Sequence, residues 1–263
     1  TKYQSQVMQL INKPLFLGLF FMLGSVAQAS ALPTFDAEYT AYRYGKKLGY
    51  ALLSVENVDK DTYRMEYHSK VSLFFLSDKR TEISDFAYVD DKIVPQNYRF
   101  SRTGTGSNKS IKVVFDASKD KIFIDKEPAI DWQDQFDNQL YRLDLQQKLA
   151  QGQKEFNYHV INYRGQERDY HLKVMGTEQL TLPYGMLEGI KVEIVRQNST
   201  RETFAWFSPQ LNYQLVRLQQ FKDDKEQGDI QLKTFTATQL LTHYAVTHPR
   251  HCINIVPSKY SSP

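Results

Sequence analysis

The sequence predicts a mainly β fold, a strongly curved antiparallel sheet or open barrel with one covering helix. Three observations lead there. From Phe35 onward, apolar and polar residues alternate at period two between short turn signals. The connections between neighbouring runs are too short for a crossover helix, which leaves successive antiparallel hairpins. One segment, Asp137 to Ala150, replaces the alternation with helical spacing. A sheet of roughly a dozen strands must close or be capped, because open edges pair with other chains.

Taken in order, Phe35, Ala37, Tyr39 and Ala41 lead to Gly45-Lys46-Lys47. Leu48 to Val58 runs into Asp59-Lys60-Asp61, after which Tyr63, Met65 and Tyr67 resume the period. Arg80 to Tyr88, Ile93 to Arg102, Ser110 to Phe115 and Lys121 to Ile124 continue it. From Phe156–Tyr163 to Ile230–Leu241 there is room for about six more strands. Between Phe100 and Asp116, two glycines, a lysine and a serine resemble a phosphate loop. That loop requires lysine directly after its second glycine and a helix opening on the serine. Here Asn108 holds the glycine's place and strand-like residues flank both sides, so the segment is a hairpin turn. In the helix, Tyr141, Leu145 and Leu149 recur at i+4, Asp137 can cap the start and Gly152 can close the end. Laid on the concave face of the sheet, these three residues are the candidate ligand-binding residues.

The amino terminus reads as a secretory leader. Lys13 precedes the apolar run Leu15 to Val26, followed by the small-residue pattern Ala27-Gln28-Ala29-Ser30-Ala31. The run would rise about 18 Å as a helix against a hydrocarbon core of about 30 Å, so cleavage after Ala29 or Ala31 is expected rather than a permanent membrane anchor. Residues 32–242 then form one β-rich domain and residues 243–263 a loose tail. Removing Lys2 and Lys13 lowers the formal charge from +3 to +1. That balance offers no clustered positive field for nucleic acid. The lone Cys252 has no partner for an internal disulfide, so stability rests on packing.

The constellations with chemical potential are few. A hairpin centred on Gly165 would set His159 opposite His171, with Phe156, Tyr158 and Val160 facing Val174, Leu172 and Tyr170 on the core side. The histidines then share the solvent face without a third ligand, so no metal site is expected. Asp131, Asp134 and Asp137 surround Trp132 in a pattern seen at sugar sites, but acids also gather before a helix amino terminus. The metal-capable tail residues His243, His248, His251 and Cys252 match no zinc spacing. No hydrolase or metalloprotease motif is present, and no cofactor is expected. The run Val71 to Leu76, VSLFFL, reads either as a rim or lid or as a buried strand or helix turn.

Together these positions carry a likeness. Gly45 and Gly49, Ser84-Asp85-Phe86, Ile93-Val94-Pro95 with Tyr98, and the Gly104 and Gly106 turn running to Phe115-Asp116 resemble the bacterial exported-protein family known as domain of unknown function 3108. Asp137, Tyr141, Leu143, Leu145, Leu149 and Gly152 continue the resemblance, as do Gly176 with Glu178, Tyr184-Gly185, Trp206-Phe207-Ser208-Pro209 and Val216-Arg217. Leu140, Lys148 and Leu215 depart from the family's usual residues. The resemblance implies export and a curved sheet of the lipocalin-like or lipoprotein-carrier (LolA-like) kind, and no established reaction. The expectation is a periplasmic, non-enzymatic protein whose partner is an apolar or lipid-like ligand or an envelope protein. The alternatives are a ligand-free envelope scaffold and a carbohydrate-active hydrolase using the acids near Trp132.

Overall fold

A computed structural model describes residues 31–73, 75–196 and 200–237. The predicted leader, apart from Ala31, and the tail from His243 with Cys252 lie outside the described residues. Among the described residues, fifteen strands form one sheet. The first arm is a meander of β1 (Phe35–Arg43), β2 (Lys46–Asp59), β3 (Thr62–Leu73), β4 (Leu76–Val89), β5 (Lys92–Gly104), β6 (Lys109–Asp116), β7 (Lys121–Ile124) and β8 (Ile130–Asp131). The chain then passes through β9 (Phe136–Asp137) and helix α1 (Tyr141–Ala150). The second arm comprises β10 (Glu155–Ile161), β11 (Glu167–Leu182), β12 (Gly185–Arg196), β13 (Arg201–Ser208), β14 (Gln214–Lys222) and β15 (Lys225–Ala237), with a 3-10 turn at Pro209–Leu211 before β14.

The first strand pairs with the last, β1 with β15, and the two arms extend from that pair to β8 on one side and β9 on the other. Neighbours are antiparallel except β9 with β10, which run parallel. Both edge strands come from the same stretch, 130–137, so the curved sheet nearly meets itself without a ladder joining β8 to β9. Side chains close this seam. Ile161 packs among Tyr98, Phe100, Val113, Phe115, Ile122 and Ile124, and Trp132 meets Phe115 edge-on with ring centroids 5.4 Å apart. Tyr163 lies 5.4 Å from the ring of Phe100.

Two expectations need correction. The helix begins at Tyr141 rather than Asp137, because residues 136–137 are held as β9 against β10. Asp137 still ties down the entry: its Oδ1 accepts the backbone N–H of Gln139 at 2.8 Å and of Leu140 at 2.9 Å. The β10–β11 register is also shifted by two residues, pairing His159 with Asp169 and His171 with Asn157. The cause is the turn. Asn162 starts it early, its Oδ1 accepting the N–H groups of Arg164 and Gln166. A two-residue shift preserves the faces, so Phe156, Tyr158 and Val160 remain inward and buried while the histidines are no longer opposite each other.

The helix lies within the curve and is covered on two sides. Tyr141, Leu145 and Leu149 pack with Phe156, Tyr158, Leu172, Val192 and Phe207 of the second arm. Leu140 and Leu143 belong instead to the cluster that holds Phe35, Leu53 and Met65 of the first arm and Leu232 of β15. Each such leucine removed from water stabilises the fold by about 1.5–3 kcal/mol. Gly152, at φ +84°, turns the chain out after the last helical residue.

Candidate functional site

The inward rows of the strands change character along their length, and that change creates a cavity. On β3, Tyr63 and Met65 are buried in the core, whereas Tyr67, Ser69, Val71 and Leu73, still in phase, line open space. On β4, the same row runs Phe86, Ser84, Glu82, Arg80, Asp78, from apolar to charged. On β5 it passes from Tyr98 to Phe100 and Arg102. Core packing therefore fills the barrel on one side of the helix, and a cavity of about 1050 Å³ opens on the other. The first turn of α1 and the residues before it, Asn138, Gln139, Tyr141 and Arg142, form its floor. A smaller space of about 330 Å³, lined by Leu143, Gln147 and Leu211 among others, lies toward the opposite end.

The mouth lies among the turns that join β1 to β2, β3 to β4, β5 to β6, β10 to β11 and β14 to β15. Of the VSLFFL run, Phe74 lies outside the described residues; at the β3–β4 hairpin end Val71, Leu73 and Leu76 line the cavity and Phe75 is 88% exposed. Next to it, the Gly104 turn is held by backbone contact, with Thr105 N–H donating to the carbonyl of Ser77 at 2.8 Å. A Cβ on Gly104 would stand 2.1 Å from that carbonyl oxygen, which is why glycine is needed. The loop serves the hairpin.

Charge in the cavity is unbalanced. Eight cationic side chains line it (those of Arg43, Arg80, Arg102, Arg142, Arg164, Arg168, Arg201 and Lys222) against three acidic ones, Asp78, Glu82 and Asp229. Each acid is already engaged. Asp78 is shared by Arg80 at 2.9 Å and Arg102 at 2.7 Å. Asp229 forms a two-pronged pair with Arg217, which does not line the cavity. Glu82 accepts the Tyr98 hydroxyl at 2.6 Å and the Asn138 amide at 2.8 Å.

Arg142 sits at the floor with its guanidinium donating to Gln139 Oε1 at 2.9 Å and, at the long limit of 3.5 Å, to the Tyr141 hydroxyl. No carboxylate lies within ion-pair distance of it among the described residues. Burial works against its charge, but the Tyr141 hydroxyl and the Glu82 carboxylate favour it and prevail, so the group stays cationic. The hydroxyls of Tyr39, Tyr67 and Tyr98 all feel its field.

Of the three residues read from the helix, Tyr141 lines the cavity, while Leu145 and Leu149 are buried in the core beneath it. The charged lining escaped the sequence reading. Its signal was present as Asp78, Arg80, Glu82 and Ser84 at period two, in phase with the core residue Phe86. The acids near Trp132 do not converge: Asp131 pairs with Lys121, Asp134 with His159, and Asp137 is turned inside. Trp132 donates to the Gln135 carbonyl within the seam. Among the described residues there is no cluster of three metal-capable side chains, and no helix is long and apolar enough to cross a membrane.

Comparison with known proteins agrees with this architecture. No curated protein matches the chain. Among solved structures, the β-barrel-like protein of domain of unknown function DUF1849 from Brucella abortus is similar at a TM-score of 0.56 and 11% identity, covering 79% of this chain and 99% of its own. At that identity the likeness is one of fold. A structure from Bacteroides fragilis with a YmcC-like fold is 12% identical over 78% of this chain and 94% of its own, with a TM-score of 0.30. Aeromonas veronii immune modulator A is 10% identical, 73% of each chain being covered, at a TM-score of 0.24. The sequence profile of the proteins of unknown function termed DUF3108 matches residues 34–233, from the start of β1 into β15, and the chain belongs to that family.

Proposed function

We propose that the protein binds an apolar or lipid-like ligand in the cavity above α1, acting in the periplasm as a binding protein rather than a catalyst. The observation that carries this is the open cavity of about 1050 Å³ inside the curved sheet. Small-molecule sites typically enclose about 300–1,000 Å³, so this one has room for a ligand with a long chain. Apolar wall residues such as Val71, Leu73, Ile194, Leu218 and Ile230 offer contact for a chain, and Phe75 and Leu76 provide an apolar lip. A scaffold would need only a filled interior, and on the other side of the helix the space left is no more than about 330 Å³. The periplasmic assignment rests on the leader-like segment from Lys13 to Ala31.

The test uses N-phenyl-1-naphthylamine, an uncharged apolar fluorophore, on the purified protein stripped of lipid. The wild type should take it up with a blue-shifted emission. Ser69→Trp, which fills the cavity from a wall position outside the buried core, should weaken uptake at least ten-fold with the melting temperature little changed. A wild type that takes up no probe would overturn the reading in favour of a scaffold.

A further inference from the structure

A cationic group inside a protein is costly unless an anion meets it, and the cost grows as water is excluded. The cavity described above holds such a group. Arg142 projects from the first turn of α1 to the cavity floor, and none of the three lining acids forms an ion pair with it: Asp78 and Asp229 pair with other arginines, and Glu82, whose charge reaches Arg142, spends its hydrogen bonds on Tyr98 and Asn138. Its two hydrogen bonds, to Gln139 Oε1 and the Tyr141 hydroxyl, use neutral acceptors and leave guanidinium donors toward the open space. Guanidinium is suited to this task because its planar donor fork matches an oxyanion with two parallel bonds. The Tyr67 hydroxyl and seven further cationic side chains line the same cavity, and their excess over the three acids favours an anion in it.

Resting on the proposed binding function, we infer that Arg142 anchors the anionic head group, a carboxylate or a phosphate monoester, of a single-chain amphiphile whose tail lies against Ile194, Leu218 and Ile230. The apolar wall supplies affinity that any alkyl chain can use. The arginine supplies selection, since an uncharged amphiphile of the same length leaves it unpaired.

The experiment displaces N-phenyl-1-naphthylamine with decanoate and decyl phosphate, each below its micelle concentration, and decanol below its solubility limit. Wild type should bind the preferred anion at least ten-fold more tightly than decanol. Arg142→Gln should erase that difference while keeping the decanol affinity, and Arg142→Lys, with the charge but not the fork, should retain part of it. Tighter binding of decanoate identifies a fatty-acid class of ligand, and tighter binding of decyl phosphate a phosphate ester. Equal affinities for anion and alcohol in the wild type, or a difference that survives in Arg142→Gln, would overturn the inference while leaving ligand binding intact. Failure of the wild type to take up either the fluorophore or the amphiphiles would instead remove the binding function itself. Should Arg142→Gln not fold, the wild-type comparison and Arg142→Lys still decide the matter.

Discussion

Asp137 links the helix entry to the barrel wall, and its surroundings make it an unusual acid. It is fully buried, its Oδ1 accepts two backbone N–H groups, and its Oδ2 has no hydrogen-bond partner. Burial pushes its carboxyl up to about 7; the N–H groups of Leu140 and Gln139 and the Ser84 side chain resist this, and the Glu82 charge adds to it. The sign of the consequence follows from linkage. Near pH 4 and above, the unfolded chain releases this proton while the folded chain keeps it, so stability falls as pH rises toward 7, by at most about 1.4 kcal/mol per unit, and levels off above. Asp137→Asn keeps an acceptor at Oδ1 and has no proton to lose. Its melting temperature should decline less than that of the wild type between pH 4.5 and 7.5; parallel curves would show that Asp137 ionises normally in the fold. Sequence reading took this residue for the helix cap; the N-cap position is Leu140, which no side chain caps, and Asp137 instead ties down the turn that precedes the helix. Its burial was not legible, because nothing local to DNQL says that the opposite barrel wall covers it.

At the level of elements, the i+4 stripe of Tyr141, Leu145 and Leu149 was readable and does face the second arm. The second stripe, Leu140 and Leu143, was not distinguished, because a helix covered on two sides loses the one-faced pattern on which such readings depend. Strands were legible for the opposite reason, each having one buried and one wet face. Register was harder. The side-chain period fixes which residues point inward but is indifferent to a shift of two, and the Asn162 side-chain turn that sets the β10–β11 register is invisible to it. The two-sided burial of α1 also makes Leu145 a core position. Leu145→Trp should therefore overpack the interior and cost roughly 1–3 kcal/mol in chemical denaturation while the folded protein still takes up the naphthylamine probe. Normal stability with probe uptake abolished would mean that the cavity extends under the helix to Leu145.

For the whole molecule, the curved sheet meets itself without a strand ladder, through side-chain packing and the hydrogen bonds of Trp132 and Gln135, and that makes the seam its distinctive structural commitment. A curved sheet with one helix could be read from alternation and a single break in it. The meeting of 130–137 with the β10–β11 turn could not, since it depends on the accumulated twist of fourteen neighbouring pairings. Two glycines allow the seam's contribution to be isolated. Gly45, at φ +72°, and Gly165, at φ +73°, occupy the same left-handed conformation at hairpin tips, so alanine incurs a comparable backbone penalty of about 1–2 kcal/mol at either. A Cβ at Gly45 would meet nothing within 4 Å. At Gly165 it would stand 2.5 Å from Ile111 Cδ1 and 2.7 Å from Ile124 Cγ2, the methyls of β6 and β7 against which the turn is pressed. Gly165→Ala should thus destabilise the protein by roughly 1–3 kcal/mol more than Gly45→Ala, the added cost of overpacking. It should also raise amide exchange in β6 to β8, where the seam would loosen, whereas Gly45→Ala should leave those strands protected. Equal losses of stability and unchanged exchange in both variants would show that the β10–β11 tip is not clamped to β6 and β7, and that the edge strands hold the barrel shut without it.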